Sequence, residues 1–373
     1  MKYYLIAGEA SGDLHASNLM KALAAADPEA EFRFRGGALM EEAGRAARSS
    51  VMVCDYRQGA VMGLTDLFLK SFRLLADMMR CRRDILKWNP DVVIPVDYPG
   101  FNLRIASFCH SRGIRVFYYI APKTWASRSF RNKTLRKCVD RLYIVFPFEV
   151  PYFESKRVPC TYLGNPLKDE AEGRKYEPVN VGEPYVALLP GSRKEEISRM
   201  MPVCLEAARR LRRKVVIAGA PGRSVGDYLG YIGPRDNVKI LFGRTYDILR
   251  YADAAIINSG TASLEAVFTG TPQVVCWSNS WLTLFVARHI LKVQNRINFI
   301  SLGNLIAGRR IFRELIQEDF TVRNLVKEAG NLLDNKEYRD SMLEGYRDII
   351  SRLGEPGAPE RIAGSMIGAL SGK

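Results

Sequence analysis

Short apolar runs alternate with stretches of helical spacing along this chain, and the alternation occurs in two series. The first series contains the strand candidates 3–7, 32–37, 51–55, 91–97, 115–120 and 141–148. The second contains the strand candidates 185–193, 214–220, 237–243, 253–261 and 272–277. Strands that alternate with helices predict βαβ units and therefore parallel sheets.

A polar segment, residues 164–184, separates the two series, and its three prolines and three glycines are typical of an interdomain linker. A chain of 373 residues is long enough for two domains. We therefore predict an α/β protein with two Rossmann-like, doubly wound domains that face a central cleft. The expected domains are residues 1–166 and residues 167–373, and the second includes the terminal helices.

The formal net charge of +15 indicates an anionic partner, which could be nucleic acid, anionic lipid headgroups or a phosphorylated substrate. The basic residues are concentrated in four segments: 80–84, 127–137, 208–214 and 308–310. The sequence contains no signature of a nucleic-acid-binding module. Composition alone leaves the choice among these partners open.

The seven cysteines are scattered and form no CxxC pair, and the three histidines lie far apart. This pattern favours a reducing cytoplasm and disfavours a metal site. The sequence contains no run of 18 apolar residues, so it does not predict a membrane span. Residues 64–79 combine a wide apolar helical face with basic flanks, and residues 280–292 are similar. Such a helix belongs either to the core or to a membrane surface.

Asp97 ends an apolar strand in "VVIPVDYPGFN", residues 92–102. An aspartate before proline or glycine is usually a turn or cap residue. Open α/β sheets, however, bind their ligands beyond the carboxyl ends of their strands. Asp97 is therefore a candidate general base.

Three segments share the order strand, glycine- and serine-containing loop, and helix start: "AGEASGDLHAS" (7–17), "LLPGSRKEEI" (188–197) and "NSGTASLEA" (258–266). Free N–H groups at a helix start suit anions or sugar hydroxyls, although Ser and Asp there are often only caps. Arg193 offers a fork of donors to phosphate, and Glu265 suits ribose hydroxyls. Two such loops in the second domain favour a nucleotide diphosphate. The absence of GxxxxGK[ST] excludes a P-loop NTPase.

Seven segments carry a resemblance to a known family: "AGEASGD" (7–13), "VDYPGFN" (96–102), "GIRVFYYIAPKTWA" (113–126), "PFE" (147–149), "LPGSRKEEI" (189–197), "SGTASLE" (259–265) and "SLGNLIAGRRIFRELIQ" (301–317). With these segments in this order, the chain closely resembles the lipid-A-disaccharide synthases, which are inverting glycosyltransferases of GT-B architecture. The segments span nearly the whole chain.

The resemblance implies a UDP-2,3-diacylglucosamine donor and a 2,3-diacylglucosamine 1-phosphate acceptor (lipid X). The products would be a β(1→6)-linked disaccharide and UDP, in the lipid A and lipopolysaccharide pathway of a Gram-negative bacterium. The first domain would bind the acceptor and the second the UDP-sugar. The family is peripheral to the cytoplasmic face of the inner membrane and uses no metal or cofactor. Nucleic acid is not expected as a partner, and a homodimer stays open.

The resemblance also implies roles for individual residues. Asp97 would be the catalytic base. Donor-binding residues would be Gly191, Ser192, Arg193, Ser259, Gly260, Thr261, Glu265, Asn304, Arg309, Glu314 and Gln317. Acceptor-binding residues would be Glu9, Ser11, Gly12, Asp13 and Asn102. The chain departs from the family pattern at Gly100, Ser127, Gly303 and Arg310.

Two alternative functions stay open at this point. One is another GT-B enzyme that uses a UDP-sugar, such as an epimerase or a lipid-linked glycosyltransferase. The other is a basic protein that binds membranes or nucleic acid and has a degenerate site. A rise in melting temperature with UDP would favour an enzyme, because a ligand that binds only the native state stabilises it.

Overall fold

The computed structural model describes residues 1–59, 67–234, 236–278 and 299–372, with the backbone alone at 58–59 and 67–73. The described chain forms two compact units. The first contains residues 1–166 and 356–373, and the second contains residues 167–355.

The strands of the first unit are β1 (Lys2–Ile6), β2 (Glu31–Gly36), β3 (Ser49–Asp55), β4 (Val92–Pro95), β5 (Phe117–Tyr119), β6 (Arg141–Ile144) and β7 (Thr161–Tyr162). They pair in parallel in the order β3-β2-β1-β4 and β5-β6-β7. Bridges from Val93 to Val116 and from Val96 to Tyr119 connect the two groups. The result is a doubly wound sheet whose order reverses between β1 and β4.

The helices of the first half of the chain are α1 (Ala10–Ala26), α2 (Ala38–Gly44), α3 (Leu67–Trp88), α4 (Pro99–Ser111), α5 (Asn132–Cys138) and α6 (Glu149–Ser155). One core cluster packs Tyr4 and Val93 of the sheet against Ile85 of α3 and Ile105 of α4. This packing buries the apolar side of both helices against the sheet. It also fixes the start of α4 beside the end of β4.

The second unit has six strands in its described part: β8 (Tyr185–Leu189), β9 (Lys214–Gly219), β10 (Val238–Phe242), β11 (Ala254–Asn258), β12 (Gln273–Trp277) and β13 (Glu314–Ile316). They are parallel, in the order β10-β9-β8-β11-β12-β13. This is the Rossmann order, and it reverses between β8 and β11. The predicted α/β class with two Rossmann-like domains is confirmed.

The helices of the second unit are α7 (Pro166–Glu172), α8 (Lys194–Leu211), α9 (Gly226–Leu229), α10 (Thr245–Arg250), α11 (Ala262–Thr269), α12 (Leu302–Ala307), α13 (Val322–Asp334) and α14 (Lys336–Arg352). A further helix, α15 (Ala358–Leu370), buries Ile362 and Met366 within the first unit. Its Arg361 donates to the Leu163 carbonyl at 2.9 Å. Residues 356–373 therefore group with the first unit, which corrects the expected second domain of 167–373.

Other differences from the sequence prediction are local. The predicted linker contains α7, and the short strands β7 and β13 were not predicted. No helix among the described residues is long and apolar enough to cross a membrane. The amphipathic segment 64–79 lies only partly inside the described residues, and segment 280–292 lies outside them.

Candidate active site

Asp97 lies just after β4, where the strand order of the first sheet reverses. The backbone of Asp97 is strained. Asp97 and Tyr98 both have φ of 45°, in the left-handed region. Such conformations cost about 1–3 kcal/mol each and cluster at functional sites. The Asp97 N–H donates to the Tyr119 carbonyl at 3.0 Å. The Asp97 carbonyl accepts from the Tyr118 hydroxyl at 2.6 Å and from Asn102 at 2.7 Å.

Asn102 is fully buried beneath this turn. Its Nδ2 also reaches the carbonyls of Val96 at 3.2 Å and Ile6 at 3.3 Å, so one amide connects the ends of β1 and β4. Buried carbonyls need such donors. The structure therefore gives Asn102 a positioning role in place of the expected contact with the acceptor.

The environment of Asp97 suits a base that works near neutral pH. Burial, with a further contribution from the nearby charge of Glu9, raises the pKa of the half-buried Asp97 carboxyl to about 6. Lys123 and the Tyr98 N–H oppose this rise in pKa. A base with a pKa near the working pH is efficient, because it is ionised and still basic.

The loop between β1 and α1 lies beside this turn. Glu9 and Ser11 are exposed there, and the Ser11 hydroxyl donates to Glu9 at 3.3 Å. Gly12 is buried, and a Cβ at this position would lie 3.3 Å from the Ala7 Cβ. The glycine thus permits α1 to start close against the end of β1. Glu9 and Ser11 are free to meet a ligand from solvent.

Asp13, in contrast, is 3% exposed and accepts from the backbone N–H groups of Gly37 at 2.8 Å, Met40 at 3.2 Å and Leu39 at 3.2 Å. Its carboxylate therefore caps the start of α2. The structure places Asp13 as a structural anchor between α1 and α2, and not on the surface expected for the acceptor.

In the second unit, the loop after β8 already binds a carboxylate of its own chain. Glu196 accepts from the N–H groups of Ser192 at 3.0 Å and Arg193 at 3.2 Å, and the Arg193 guanidinium donates to it at 2.6 Å. Gly191 has φ of 102° and lies against the Glu196 carboxylate. These contacts form a capping box at the start of α8, in which the N–H groups of the loop bind a carboxylate. Arg193 remains mostly exposed.

The loop after β11 presents Thr261 to solvent. The Ser259 hydroxyl donates to the Ile300 carbonyl at 3.3 Å, whereas a Cβ at Gly260 would meet no other atom. Further along, burial and the nearby charge of Glu170 together raise the pKa of Glu265 to about 7. Arg174 lowers the pKa of Glu265. A carboxyl in this state changes its charge near neutral pH.

Two polar residues of the 301–317 segment have structural partners. Asn304 is fully buried and donates to the Phe312 carbonyl and to Glu314, both at 2.9 Å. Glu314 accepts from the N–H groups of Ile300 and Ser301 at 3.0 Å each. Asn304 and Glu314 therefore shape the backbone of the expected donor loop.

The remaining residues of this segment differ in exposure. Arg309 is exposed, with Asp348 3.5 Å from its guanidinium, and Gln317 has φ of 55°. At Gly303, one of the positions where the sequence departs from the resemblance, a Cβ would lie 2.8 Å from the Phe312 ring. The buried Phe312 ring thus fills the space that a larger residue would need.

Sequence analysis assigned no role to two residues near the site, Tyr118 and Glu149. Tyr118 lies in an apolar run and was indistinguishable from a core residue. Glu149, within the quoted "PFE", is 1% exposed and accepts from Trp125 Nε1 at 3.1 Å and from the Phe146 N–H at 3.1 Å. Burial raises the pKa of Glu149 to about 7. The signals in the sequence were the place of Glu149 in this quoted segment and its position after the strand β6.

Comparison with known proteins identifies the family of this chain. The profile of the lipid-A-disaccharide synthetase family matches residues 3–357. The chain belongs to the lipid-A-disaccharide synthase family. It is 36% identical to the lipid-A-disaccharide synthase of Trichlorobacter lovleyi, with 97% of this chain and 96% of that protein covered. The corresponding protein of Geobacter sulfurreducens is 34% identical, with 98% and 96% covered.

Solved structures with the same fold have far lower identity. The S. aureus MnaA–UDP co-structure has a TM-score of 0.70 at 15% identity, covering 99% of this chain and 97% of that chain. The glycosyltransferase SnogD of Streptomyces nogalater has a TM-score of 0.57 at 16% identity, covering 99% of each chain. These similarities confirm the GT-B fold.

Family membership confirms the predicted function in lipid A disaccharide synthesis and the predicted glycosyltransferase activity. Family membership does not favour the first alternative, another GT-B enzyme that uses a UDP-sugar. It does not favour the second either, a basic protein that binds membranes or nucleic acid. In general terms, the family implies a UDP-sugar donor and a lipid phosphate acceptor. In the part of the chain that the structure describes, no three His, Cys, Asp or Glu residues are grouped as metal ligands would be.

Proposed function

We propose that this member of the family transfers the sugar of UDP-2,3-diacylglucosamine to the 6-hydroxyl of 2,3-diacylglucosamine 1-phosphate, with inversion. The observation that carries the proposal is the Asp97 carboxyl, which lies after β4 on a strained turn and has a pKa of about 6. This carboxylate takes the proton of the 6-hydroxyl as the oxygen attacks the donor sugar carbon. One displacement inverts the configuration at that carbon.

The donor would bind to the two loops at the switch point of the second sheet. The site at Ser192 and Arg193 already holds the Glu196 carboxylate, which supports an affinity for anions. In the proposed complex the diphosphate takes the place of Glu196 on these donors. Charge that develops on the leaving UDP is thereby stabilised, which is usually a large term in catalysis. Glu265 accepts hydrogen bonds from the ribose.

On the acceptor side, Glu9 and Ser11 have the exposure that contact with the acceptor sugar needs. Asp13 and Asn102 support the site without contacting the acceptor. Asp13 holds α2 in place, and Asn102 holds the Asp97 turn in place. Asn304 and Glu314 have the equivalent task on the donor side, while Arg309 and Gln317 are proposed to reach the donor.

We also propose that α3 rests on the inner membrane at its cytoplasmic face. Leu75 and Met79 are each 51% exposed on this helix, and Leu86 is 46% exposed. Arg80 and Arg83 accompany them and are exposed as well. An amphipathic helix with basic flanks binds anionic lipid surfaces through both its apolar area and its charge.

The deciding experiment is a mass-spectrometric transfer assay on three purified proteins: wild type, Asp97→Asn and the control Asp340→Asn. Asp340 is an exposed aspartate of α14. Each protein receives the two proposed substrates without added metal. We expect disaccharide and UDP from wild type and the control, and a rate at least 100-fold lower from Asp97→Asn, because general base catalysis contributes about 10²–10⁴-fold.

The outcomes separate the parts of the proposal. Equal rates for wild type and Asp97→Asn would keep the substrates and remove Asp97 as the base. Failure of wild type to form product, while UDP still raises its melting temperature, would mean that the donor sugar or the acceptor is wrong.

A further inference from the structure

A basic loop, residues 120–131, follows β5 beside the Asp97 turn, and the mechanism above does not use it. β5 is the neighbour of β4, and the Asp97 N–H bonds to the last residue of β5, Tyr119, at 3.0 Å. The loop carries Lys123, Arg128 and Arg131. It contains the start of the basic segment 127–137.

A network of buried and partly buried hydrogen bonds holds the base of this loop. The Thr124 hydroxyl donates to Asn132 at 2.8 Å, Asn132 donates to the Tyr152 hydroxyl at 2.9 Å, and that hydroxyl donates to the Thr124 carbonyl at 2.7 Å. Trp125 donates to the buried Glu149 at 3.1 Å. Side chains that project from so well-fixed a backbone are pre-organised for binding.

The cations on this loop are not paired with carboxylates. Lys123 and Arg128 are exposed and Arg131 is half-buried. Within the described ranges, no carboxylate forms an ion pair with any of the three. Burial and the neighbouring charge of Arg128 both lower the pKa of Arg131. A partly desolvated guanidinium beside a second cation is unfavourable until an anion joins them.

We propose that Lys123, Arg128 and Arg131 bind the 1-phosphate of the acceptor, a proposal that rests on the function proposed above. The loop begins directly after Tyr119, whose carbonyl accepts from the Asp97 N–H at 3.0 Å. Lys123 therefore follows a strand end that is bonded to the base, and its charge lowers the pKa of Asp97. Arg131 lies near Tyr118, whose hydroxyl holds the Asp97 carbonyl. One acceptor sugar thus has its 6-hydroxyl at Asp97 and its phosphate on the loop. Guanidinium groups suit phosphate because they form bidentate hydrogen bonds.

The test measures transfer to two acceptors, 2,3-diacylglucosamine with and without its 1-phosphate. The proteins are wild type, Lys123→Ala, Arg131→Ala and the control Arg136→Ala, whose arginine is exposed on α5. For Arg131→Ala we expect at least a tenfold higher KM for the phosphorylated acceptor and an unchanged KM for the other. The KM for the donor should not change in any variant. Arg136→Ala should behave like wild type.

Two results of the kinetic test would overturn the subsite. One is an equal loss on both acceptors, because a contact with phosphate cannot matter for an acceptor that lacks it. The other is a result showing that the cations bind the phosphate groups of membrane lipids and not that of the acceptor. Weaker binding of Arg131→Ala to phosphatidylglycerol vesicles, with unchanged discrimination between the acceptors, would assign the cations to lipid headgroups.

A binding arm without donor separates this proposal from the proposed function. Calorimetric titration with glucosamine 1-phosphate should show binding to wild type and a loss of binding in Arg131→Ala. If that holds while no transfer occurs, the phosphate site stands and the proposed reaction fails. If transfer occurs while both proteins bind glucosamine 1-phosphate equally, the reaction stands and the subsite fails.

Discussion

The Tyr118 hydroxyl donates a 2.6 Å hydrogen bond to the carbonyl oxygen of Asp97. A buried residue of β5 therefore holds the turn that follows the neighbouring strand, β4. Asn102 donates to the same oxygen at 2.7 Å. The two donors stabilise a left-handed backbone at Asp97 that would otherwise be strained. The position of the proposed base therefore depends on residues that do not meet the substrate.

The first prediction concerns these two positioning residues. Tyr118→Phe removes one hydrogen bond and should lower the free energy of unfolding by about 1 kcal/mol. Asn102→Ala removes one donor from each of the carbonyls of Ile6, Val96 and Asp97 and should cost about 1–3 kcal/mol. Both variants should also lower kcat more than they raise KM. Urea unfolding and steady-state kinetics measure the two effects, and unchanged kcat in both variants would contradict the positioning role.

The second prediction is the pH dependence of the reaction. Only ionised Asp97 accepts a proton, so kcat, measured with both substrates saturating, should fall about tenfold per pH unit below a pKa of about 6. The residual activity of Asp97→Asn should lack this acid limb. Asparagine tolerates positive φ well, so the turn should keep its shape. An acid limb that persists in Asp97→Asn would assign it to another group.

Stability should change in the opposite direction to activity. The pKa of Asp97 is raised in the folded state, so its favourable contribution exists at low pH and is lost as the pH rises through about 6. At pH 8 the ionised carboxylate should cost on the order of 2 kcal/mol. Asp97→Asn should consequently be more stable than wild type at pH 8, and this gain should vanish near pH 4. Thermal unfolding at the two pH values measures the difference.

The third prediction concerns the competition between Glu196 and the diphosphate. Arg193→Ala should weaken UDP binding roughly tenfold or more, since hydrogen bonds to charged groups contribute about 1.5–3 kcal/mol. Glu196→Gln should strengthen UDP binding, because it removes the competing charge while glutamine can keep the capping box. Glu195→Gln, at an exposed neighbouring position, is the control. Weaker binding in Glu196→Gln would show that Glu196 orients Arg193 and does not compete.

The fourth prediction uses the carboxyl of Glu265. Because its pKa is raised to about 7, UDP affinity should increase from pH 6 to pH 8 as the carboxylate becomes able to accept from the ribose. Glu265→Gln should bind UDP more weakly and remove this dependence. Arg174→Ala should shift the midpoint to higher pH, because the arginine favours the ionised form. A 2′,3′-dideoxy analogue of UDP should show no increase even with wild type.

How much of the fold could be predicted from the sequence depends on how far apart in the chain the interacting residues lie. Alternating apolar runs are local, so the strands around Tyr4, Val93 and Ile256 could be found. The strands β7 and β13 have only two and three residues and lack a readable period. The position of α15 depends on packing against α1, far away in sequence.

The candidate site shows the same division. Asp97 could be identified because a charge directly follows a buried strand. Asp13 and Asn304 are polar residues within motifs, and such residues serve either ligands or backbone amides. The partners of Asp13 lie at Gly37 and beyond, and those of Asn304 at Ile311 and beyond. Only the folded chain distinguishes the two roles.

The fifth prediction tests the proposed membrane surface on α3. Leu75→Ser combined with Met79→Ser should reduce binding to phosphatidylglycerol-containing vesicles, because the two side chains expose half of their surface and would bury it in lipid. Exposed positions tolerate such changes within about 0.5 kcal/mol, so the free energy of unfolding should barely change. Leu39→Ser, at an equally exposed position of α2, should leave vesicle binding intact. If Leu39→Ser lowers binding as much as the α3 variant, the contact with lipid is not specific to α3. If the α3 variant loses several kcal/mol of stability, its side chains belong to the core and the membrane proposal fails.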